Sequence, residues 1–403
     1  MNHHPFWRRV PLAARTLAIL FAFSTSLSAQ RVTSLDGTVD FVSGVAENPQ
    51  RVGDSSRVGS IGFFPSISLT SRSSRSSTAI NYAFGWDRLT ADPPSDTTSH
   101  NSTLTFTREI NPTTNVSLSN SLALTSDPQA FFALRGVIPL DDGSGFLLLV
   151  DPVVQHQNFL TESINGTVTR RLSGKSSLSL TGGFYLRDTL SNGSSTFSNQ
   201  RGGNGQVSFA RRISERSEWN VGYTFAYYSF DDYNSTITNS AHFGFSSMIA
   251  KDTVVSWGLG ASHARSAGTS NFTAGYEGSA GVSRRIKGNT FSVRASQDGG
   301  HPNGLGSVSR NRVLSLGVDR KLSSVVNLFL SASAFDSRGV LDNHLNSRGT
   351  SAAGNLGFAI TRTLSVQVGA QYQRYSEPAP IAFTQKRLFA SLRYSHPNLL
   401  RSR

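Results

Sequence analysis

The stretch "SEWNVGYTFAYYSF", residues 217–230, alternates between two kinds of side chain. Every second residue is aromatic or aliphatic: Trp219, Val221, Tyr223, Phe225 and Tyr227. The residues between them are small or polar: Asn220, Gly222, Thr224 and Ala226. Because successive side chains of a β-strand point to opposite faces, this pattern predicts a strand with one apolar face and one small, polar face.

The same alternation returns along most of the chain, in segments of about 10 to 15 residues. Such segments are longer than the usual strand of a soluble protein and suit a tilted strand that crosses a hydrocarbon layer. The polar face carries Gly, Ser, Thr, Asn and Gln more than charges, which favours an apolar exterior around a wet interior. The pattern predicts an all-β fold, a transmembrane antiparallel up-and-down β-barrel. A secreted, soluble all-β protein is the alternative.

An arginine between two apolar residues of one parity marks the end of many segments, just before a short polar turn. Its copies centre on Arg108, Arg170, Arg211, Arg284, Arg320 and Arg362. The repeat of about 36 to 42 residues equals two strands and two connections. We expect these arginines to be membrane-interface anchors, with the stem along the apolar surface and the guanidinium at headgroup phosphates. Alternatively, they only end the strands and keep an edge soluble.

The connections alternate in length, which predicts short periplasmic turns and long extracellular loops. Seventeen alternating segments lie between residues 60 and 394, and "GTVDFVSGV" adds a weaker first strand. With residues 37–58 as that strand and its loop, the barrel has about eighteen strands. Sixteen strands follow if both segments before residue 72 lie outside the wall.

The segment 126–157 breaks the repeat, since it is apolar and lacks the arginine mark. We expect a long inserted loop that folds into the lumen or caps its mouth. The alternative is one more hairpin, which would raise the strand count to twenty.

The ends of the chain predict export. Residues 1–29 have the basic start, short apolar core and small residues of a signal peptide, with cleavage near Ala29. The barrel then occupies residues 30–395, and residues 396–403 form a C-terminal tail. The formal charge of +13 suits anionic lipid or polysaccharide, and export argues against nucleic acid. The absence of cysteine excludes disulfides, thiolate metal sites and a lipid-modified cysteine.

Several charged or aromatic residues fall on the polar parity and are candidates for lining the pore: Arg187, Arg294, Arg393, Glu277, His242, Tyr185 and Tyr228. Three arginines against one glutamate predict a mild anion preference. The two tyrosines can stack on sugar rings or simply fill the wall. The sequence has no phosphate-binding loop, HExxH or GxSxG motif, so we predict no catalytic residue, no cofactor and no metal site.

The last alternating segment, "RLFASLRYSH", looks like the C-terminal strand by which the outer-membrane assembly machinery recognises its clients. Together with "FFPSISLTSRSSRSSTAINYAFGW" and the overall pattern, it resembles the β-barrel porin families of Gram-negative bacteria, some of which are associated with exopolysaccharide secretion. The resemblance implies an outer-membrane location, contact with outer-membrane lipids, and passive passage of small or anionic solutes or of a secreted polysaccharide. It transfers no functional residue and gives no oligomeric state. A structural or adhesion barrel with a blocked lumen, and a barrel lipase or protease, are the alternatives.

Overall fold

The computed structural model describes residues 32–47, 57–90, 95–125, 138–139, 146–147, 159–190, 199–231, 234–267, 272–302, 308–339, 346–377 and 383–402. The expected signal peptide with its cleavage site, and all of the 126–157 segment except four residues, lie outside the described residues. Within the described ranges, no helix is long and apolar enough to cross a membrane.

The described residues form twenty strands. In chain order they are β1 (Val32–Glu47), β2 (Arg57–Arg72), β3 (Ser76–Leu89), β4 (Ser95–Asn111), β5 (Thr114–Thr125), β6 (Ile138–Pro139), β7 (Phe146–Leu147), β8 (Phe159–Arg171), β9 (Ser176–Thr189), β10 (Gln200–Arg212), β11 (Ser217–Phe230), β12 (Thr236–Ala250), β13 (Thr253–Ser266), β14 (Phe272–Ile286), β15 (Asn289–Pro302), β16 (Val308–Lys321), β17 (Val326–Gly339), β18 (Ser347–Ala359), β19 (Leu364–Glu377) and β20 (Phe383–Ser402).

Eighteen of these strands close into one antiparallel barrel. Each wall strand pairs with the next one in sequence, and β1 pairs with both β2 and β20. The short β6 and β7 pair only with each other in a separate two-stranded sheet. The prediction of about eighteen strands is confirmed. The alternatives of sixteen and twenty wall strands are wrong.

The predicted C-terminal tail is instead the end of a strand. β20 continues to Ser402, and its last residues pair with the start of β1, where Leu35 lies opposite Leu400. The register shifts between Leu35 and Gly37, so that the segment with Pro397 bulges from the ladder. A bulge accommodates a proline, because proline has no N–H to donate. The tail pairs because β1 begins five residues before the predicted strand and offers it an edge.

Residues that pair across two strands lie on the same face of the wall. The exposed apolar side chains occupy alternate positions of each strand, and these positions form the outer face. Val221, Phe243 and Leu259 are neighbours across β11, β12 and β13, and all three are exposed. On the same face, Trp219 stacks on Phe243 with ring centroids 6.0 Å apart. An exterior of exposed aliphatic and aromatic side chains is solvated by hydrocarbon and not by water.

The connections differ at the two ends of the barrel, as the sequence predicts. At one end every turn has two to four residues, and at the other every connection has five or more. The turn between β14 and β15 places Lys287 and Gly288 at φ of 47° and 83°. Positive φ at both central residues is typical of the type I′ turn that joins two twisted strands tightly. Both chain ends of the wall, Val32 and Ser402, lie at this short-turn end.

One seam of the wall is paired over only part of its length. β14 begins at Phe272, but its pairing with β15 begins at Gly278. Toward the long-connection end from Gly278, the Gln297 side chain donates a hydrogen bond of 2.8 Å to the carbonyl of Tyr276. A side chain thus replaces part of the missing backbone ladder at the long-connection end of this seam.

Candidate functional site

The lumen wall is a surface of hydroxyl, amide and glycine residues. Hydroxyl pairs bridge neighbouring strands on this face: Thr38 with Ser66 at 2.5 Å, Thr167 with Thr181 and Thr169 with Ser179 at 2.9 Å, and Ser333 with Ser351 at 2.7 Å. Each hydroxyl both donates and accepts, so these pairs satisfy one another and still accept from a solute. Such a wall is wettable without carrying a large charge.

All seven predicted pore-lining residues occupy inward positions in the register. Glu277 lies opposite Gly260, Arg294 opposite Gly281, His242 opposite Gly222 and Gly260, and Tyr185 and Tyr228 on the two sides of Gly202. Arg187 lies opposite Gln200 and is almost completely buried, while Arg393 lies opposite Asp40. The structure does not gather the seven into one cluster, because they are spread over six strands.

Glycines opposite the large inward side chains let those side chains lie along the wall. A Cβ atom at Gly222 would lie 2.5 Å from Cε1 of His242, and one at Gly202 would lie 2.7 Å from Cδ1 of Tyr228. A real Cβ atom does not tolerate such contacts, so each glycine provides the space that its neighbour fills. The side chains therefore cover the wall instead of filling the lumen.

Arg393 forms an ion pair with Asp40 on the lumen wall. Its Nε donates to Oδ1 of Asp40 at 2.6 Å and its Nη2 to Oδ2 at 3.0 Å. Asp40 is buried and Arg393 is half-exposed. The pair joins β1 to β20 across the barrel closure. It also neutralises one of the three arginines from which the sequence analysis predicted an anion preference. Sequence reasoning missed Asp40, whose only signal is its polar parity in "GTVDFVSGV".

Acidic side chains are also interspersed with the arginines on the lumen wall. Asp36, Asp87 and Asp298 share the inward parity with Glu277, and Arg387 shares it with Arg294. The three predicted arginines therefore do not by themselves make the middle of the lumen wall positively charged.

The short-turn mouth of the lumen is basic. The inward side chains in the last three residues of the described strands at this end include five bases, Arg72, Arg171, Arg212, Arg285 and Lys321, and three acids, Glu109, Glu218 and Asp319. The turns add six bases, Arg75, Lys175, Arg216, Lys251, Lys287 and Arg362, and two acids, Glu215 and Asp252. A positive mouth raises the local concentration of anions.

The inward face is more closely packed toward the long connections. Gln200 is 1% exposed, and Phe230, Thr236, Ser309 and Gln373 are also buried at this end. Inward residues at the short-turn end, such as Arg212, are exposed. The lumen is thus more occluded at the long-connection end.

Five of the six predicted anchor arginines lie on the outer face near the short-turn end. Each lies opposite an apolar residue of the following strand: Arg108 opposite Val116, Arg170 opposite Leu178, Arg211 opposite Trp219, Arg284 opposite Phe291, and Arg320 opposite Leu328. An arginine stem can pack on such a neighbour.

Arg362 lies in the turn between β18 and β19, out of register with the others. Ile360 starts that turn, its N–H donating to the carbonyl of Leu364 as Ile213 donates to Ser217 in an equivalent turn. The residue that corresponds to Arg211 is therefore Phe358. The sequence pattern therefore matched the triplet Ile360, Arg362 and Leu364, whose arginine lies four residues after the equivalent of Arg211.

Two of the described histidines contact aromatic side chains. His100 lies 2.8 Å from the Tyr82 hydroxyl, and His263 stacks on Phe272, both on the outer face. Across the described parts of the chain, no group of three or more His, Cys, Asp or Glu side chains is placed to hold a metal ion.

No family model and no curated protein matches the sequence. Among solved structures, the chain is similar to OccAB4 of Acinetobacter baumannii, with 11% identity, TM-score 0.48, and coverage of 92% of this chain and 99% of that one. It is also similar to OccK2 (OpdF) of Pseudomonas aeruginosa in complex with glucuronate, with 13% identity, TM-score 0.48, and coverage of 91% and 98%. A third is the siderophore receptor PirA of Acinetobacter baumannii, with 10% identity, TM-score 0.44, and coverage of 90% and 80%. Similarity at this level does not identify the permeant.

Proposed function

We propose that the protein is a porin-like channel of the outer membrane of a Gram-negative bacterium, through which small solutes pass passively. One observation carries this proposal: eighteen strands close around an inward face of hydroxyl and amide groups and present an apolar outward face. A barrel of this strand number has room for an aqueous channel. The chemistry of the channel is then selection by size and charge, with no bond made or broken.

The proposed orientation places the short turns in the periplasm and the long connections outside. The outer-face arginines near the turns would then lie at the inner-leaflet headgroups, as interface anchors. The partners in this proposal are outer-membrane lipids and, through the β20 strand, the outer-membrane assembly machinery. Export by the signal peptide, with cleavage near Ala29, belongs to the same proposal.

We propose small anions as the preferred solutes, and an anionic secreted polysaccharide shares the same chemistry. The support is the surplus of basic side chains at the short-turn mouth, which attracts anions before they enter. Tyr185 and Tyr228, on the two sides of Gly202, offer ring faces to a sugar.

The test is single-channel conductance of refolded residues 30–403 in a planar bilayer under a KCl gradient. Discrete steps with a reversal potential toward chloride are expected. Two adjacent pairs of arginines supply a matched control, because Arg212 and Arg285 point inward while Arg211 and Arg284 point outward at the same height. Neutralising the inward pair to Gln should reduce the anion preference, and neutralising the outward pair should leave it unchanged. Equal effects of the two pairs would contradict the basic-mouth argument.

A structural or adhesion barrel with a blocked lumen is the second candidate, favoured by the buried inward residues at the long-connection end. It predicts a folded, heat-modifiable barrel that gives no conductance steps. Cell adherence that depends on the long connections would then support it.

A further inference from the structure

A cluster of basic side chains lies on the outer face at the long-connection end of β16, β17 and β18. Arg312, Arg338 and Arg348 surround the single carboxylate of Asp336, with nitrogen–oxygen distances of 3.8, 3.1 and 3.3 Å. The register places all four residues on one face, since Arg312 and Arg348 both lie opposite Asp336. We call these four residues the rim cluster.

The rim cluster points away from the lumen. Arg312 continues the parity of Leu314 and Leu316, which are exposed on the apolar exterior. Its Nε donates a hydrogen bond of 2.7 Å to Oε1 of Gln297, the neighbour on the same face of β15. The three guanidinium groups are about half-exposed, whereas the Asp336 carboxylate is mostly covered by them.

The height of the cluster matches the edge of a hydrocarbon layer. Arg312 and Arg320 lie on the same face of β16, eight residues apart, with only apolar residues on that face between them. Eight residues span about 27 Å along a strand. At the tilt typical of membrane barrels this is about 20 Å along the membrane normal, close to the apolar band of such a barrel. If Arg320 lies at one headgroup layer, the rim cluster lies at the other.

Among the side chains that the structure describes at the rim, bases outnumber acids. On this face, from β16 to β20, the register places the bases Arg310, Arg312, Arg338, Arg348, Arg374 and Lys386 at the rim. The acid that the structure describes on this face is Asp336. Three guanidinium groups held near one carboxylate repel one another, and the repulsion strengthens beside a low-dielectric layer. An anion with two negative charges and several acceptor oxygens relieves it.

We propose that the rim cluster binds phosphoryl groups of a lipid headgroup in the outer leaflet. A phosphoryl group offers acceptor oxygens that match the planar fork of arginine, and it carries close to two negative charges near neutral pH. The rim cluster lies beside exposed apolar side chains, where acyl chains of the same lipid would pack. This inference rests on the proposed membrane location, and it is independent of whether the lumen conducts.

Another part of the rim provides a control. Arg88 and Asp96 lie opposite each other on the outer face of β3 and β4, at the same end of the barrel. Their Nε–Oδ1 distance is 3.8 Å and both side chains are about half-exposed. This pair is neutral, so it has the exposure of the rim cluster without the surplus charge.

The experiment is native mass spectrometry of the folded mature chain in detergent micelles, titrated with diphosphoryl lipid A. We expect lipid-bound species for the unaltered chain and for R88A, and an affinity lower by about tenfold or more for the double variant R338A/R348A. Lipid A without phosphate should bind no better to the unaltered chain than to the double variant. The double variant R338K/R348K, which keeps the charge and loses the fork, should show intermediate affinity.

Inorganic phosphate separates the two sources of the ligand. If millimolar phosphate does not displace the lipid, the ligand is the lipid headgroup. Displacement, with phosphate binding alone to the unaltered chain and not to R338A/R348A, would overturn the lipid assignment and leave a phosphate site. Equal lipid binding by the unaltered chain and R338A/R348A, or an equal loss in R88A, would overturn the proposal. Heat-modifiable mobility of each variant shows that the barrel is folded, and conductance of the same preparations tests the channel separately.

Discussion

Breaking the Asp40–Arg393 pair should weaken the closure of the barrel between its first and last strands. The two residues lie 353 positions apart in sequence and are joined by two hydrogen bonds in the folded state. R393Q leaves a buried carboxylate without its cation. D40N leaves a half-exposed guanidinium that can still reach water. We therefore expect R393Q to cost more stability than D40N, although both remove the same ion pair.

The size of the effect follows from the burial of the two partners. Exposed ion pairs contribute about 0.2–1 kcal/mol, and loss of one partner from a buried pair costs about 3–5 kcal/mol. Asp40 is 8% exposed, but the Arg393 side chain is 48% exposed, so the pair lies between these limits. A coupling free energy of about 2 kcal/mol is expected from a double-mutant cycle. The Arg88–Asp96 pair, with a single longer contact and two half-exposed side chains, should give less than about 0.5 kcal/mol.

The measurement is urea unfolding of the refolded barrel, followed by tryptophan fluorescence, for D40N, R393Q, the double variant and the parent. Urea is uncharged and does not screen the pair. An unchanged slope with a shifted midpoint identifies a change in stability alone. A coupling energy no larger than that of the Arg88–Asp96 cycle would refute the argument from burial. A larger loss for D40N than for R393Q would refute the argument from the unpaired carboxylate.

The contacts and strand pairing of the wall give three further predictions. D40N exposes the Arg393 charge to the lumen, so its reversal potential should shift toward anions, while R393Q should shift it toward cations; identical potentials would contradict the inward placement of the pair. Gly369→Ala would put a methyl carbon 2.5 Å from the Phe389 ring, which should turn into the lumen and lower single-channel conductance, with a stability loss of about 1–3 kcal/mol; unchanged conductance would speak against a ring that lies along the wall. In hydrogen-exchange mass spectrometry, the first six residues of β14 should exchange faster than the facing end of β13, because they lack pairing to β15; equal protection would contradict the open seam.

Local pattern was enough to predict the barrel. Alternation with a period of two is a property of each strand on its own, and turn length separates the two ends without any long-range information. The strand count was predictable because antiparallel closure requires an even number, which admitted the weak segment "GTVDFVSGV" as a first strand. The inward parity of Arg187, Glu277 and the other candidates was predictable for the same reason.

Register was less predictable than parity. The sequence placed Arg362 with the other five arginines, but the turn begins at Ile360 and leaves the arginine outside the ladder. The sequence analysis placed residues 396–403 in a tail, yet β1 pairs with β20 as far as Ser402 and a bulge accommodates Pro397. Both differences arise because hydrogen bonding to a neighbouring strand decides where a strand ends.

The sequence by itself determined the inside-out character of the wall, a strand number close to eighteen, and which end carries the short turns, because these depend on composition and spacing within each segment. Only the tertiary structure decided which charges meet. Closure of the barrel brings Asp40 to Arg393, and the stagger of three strands brings Arg312, Arg338 and Arg348 around Asp336. Coulomb energy depends on distances between residues remote in sequence, and those distances exist only once every strand has taken its register.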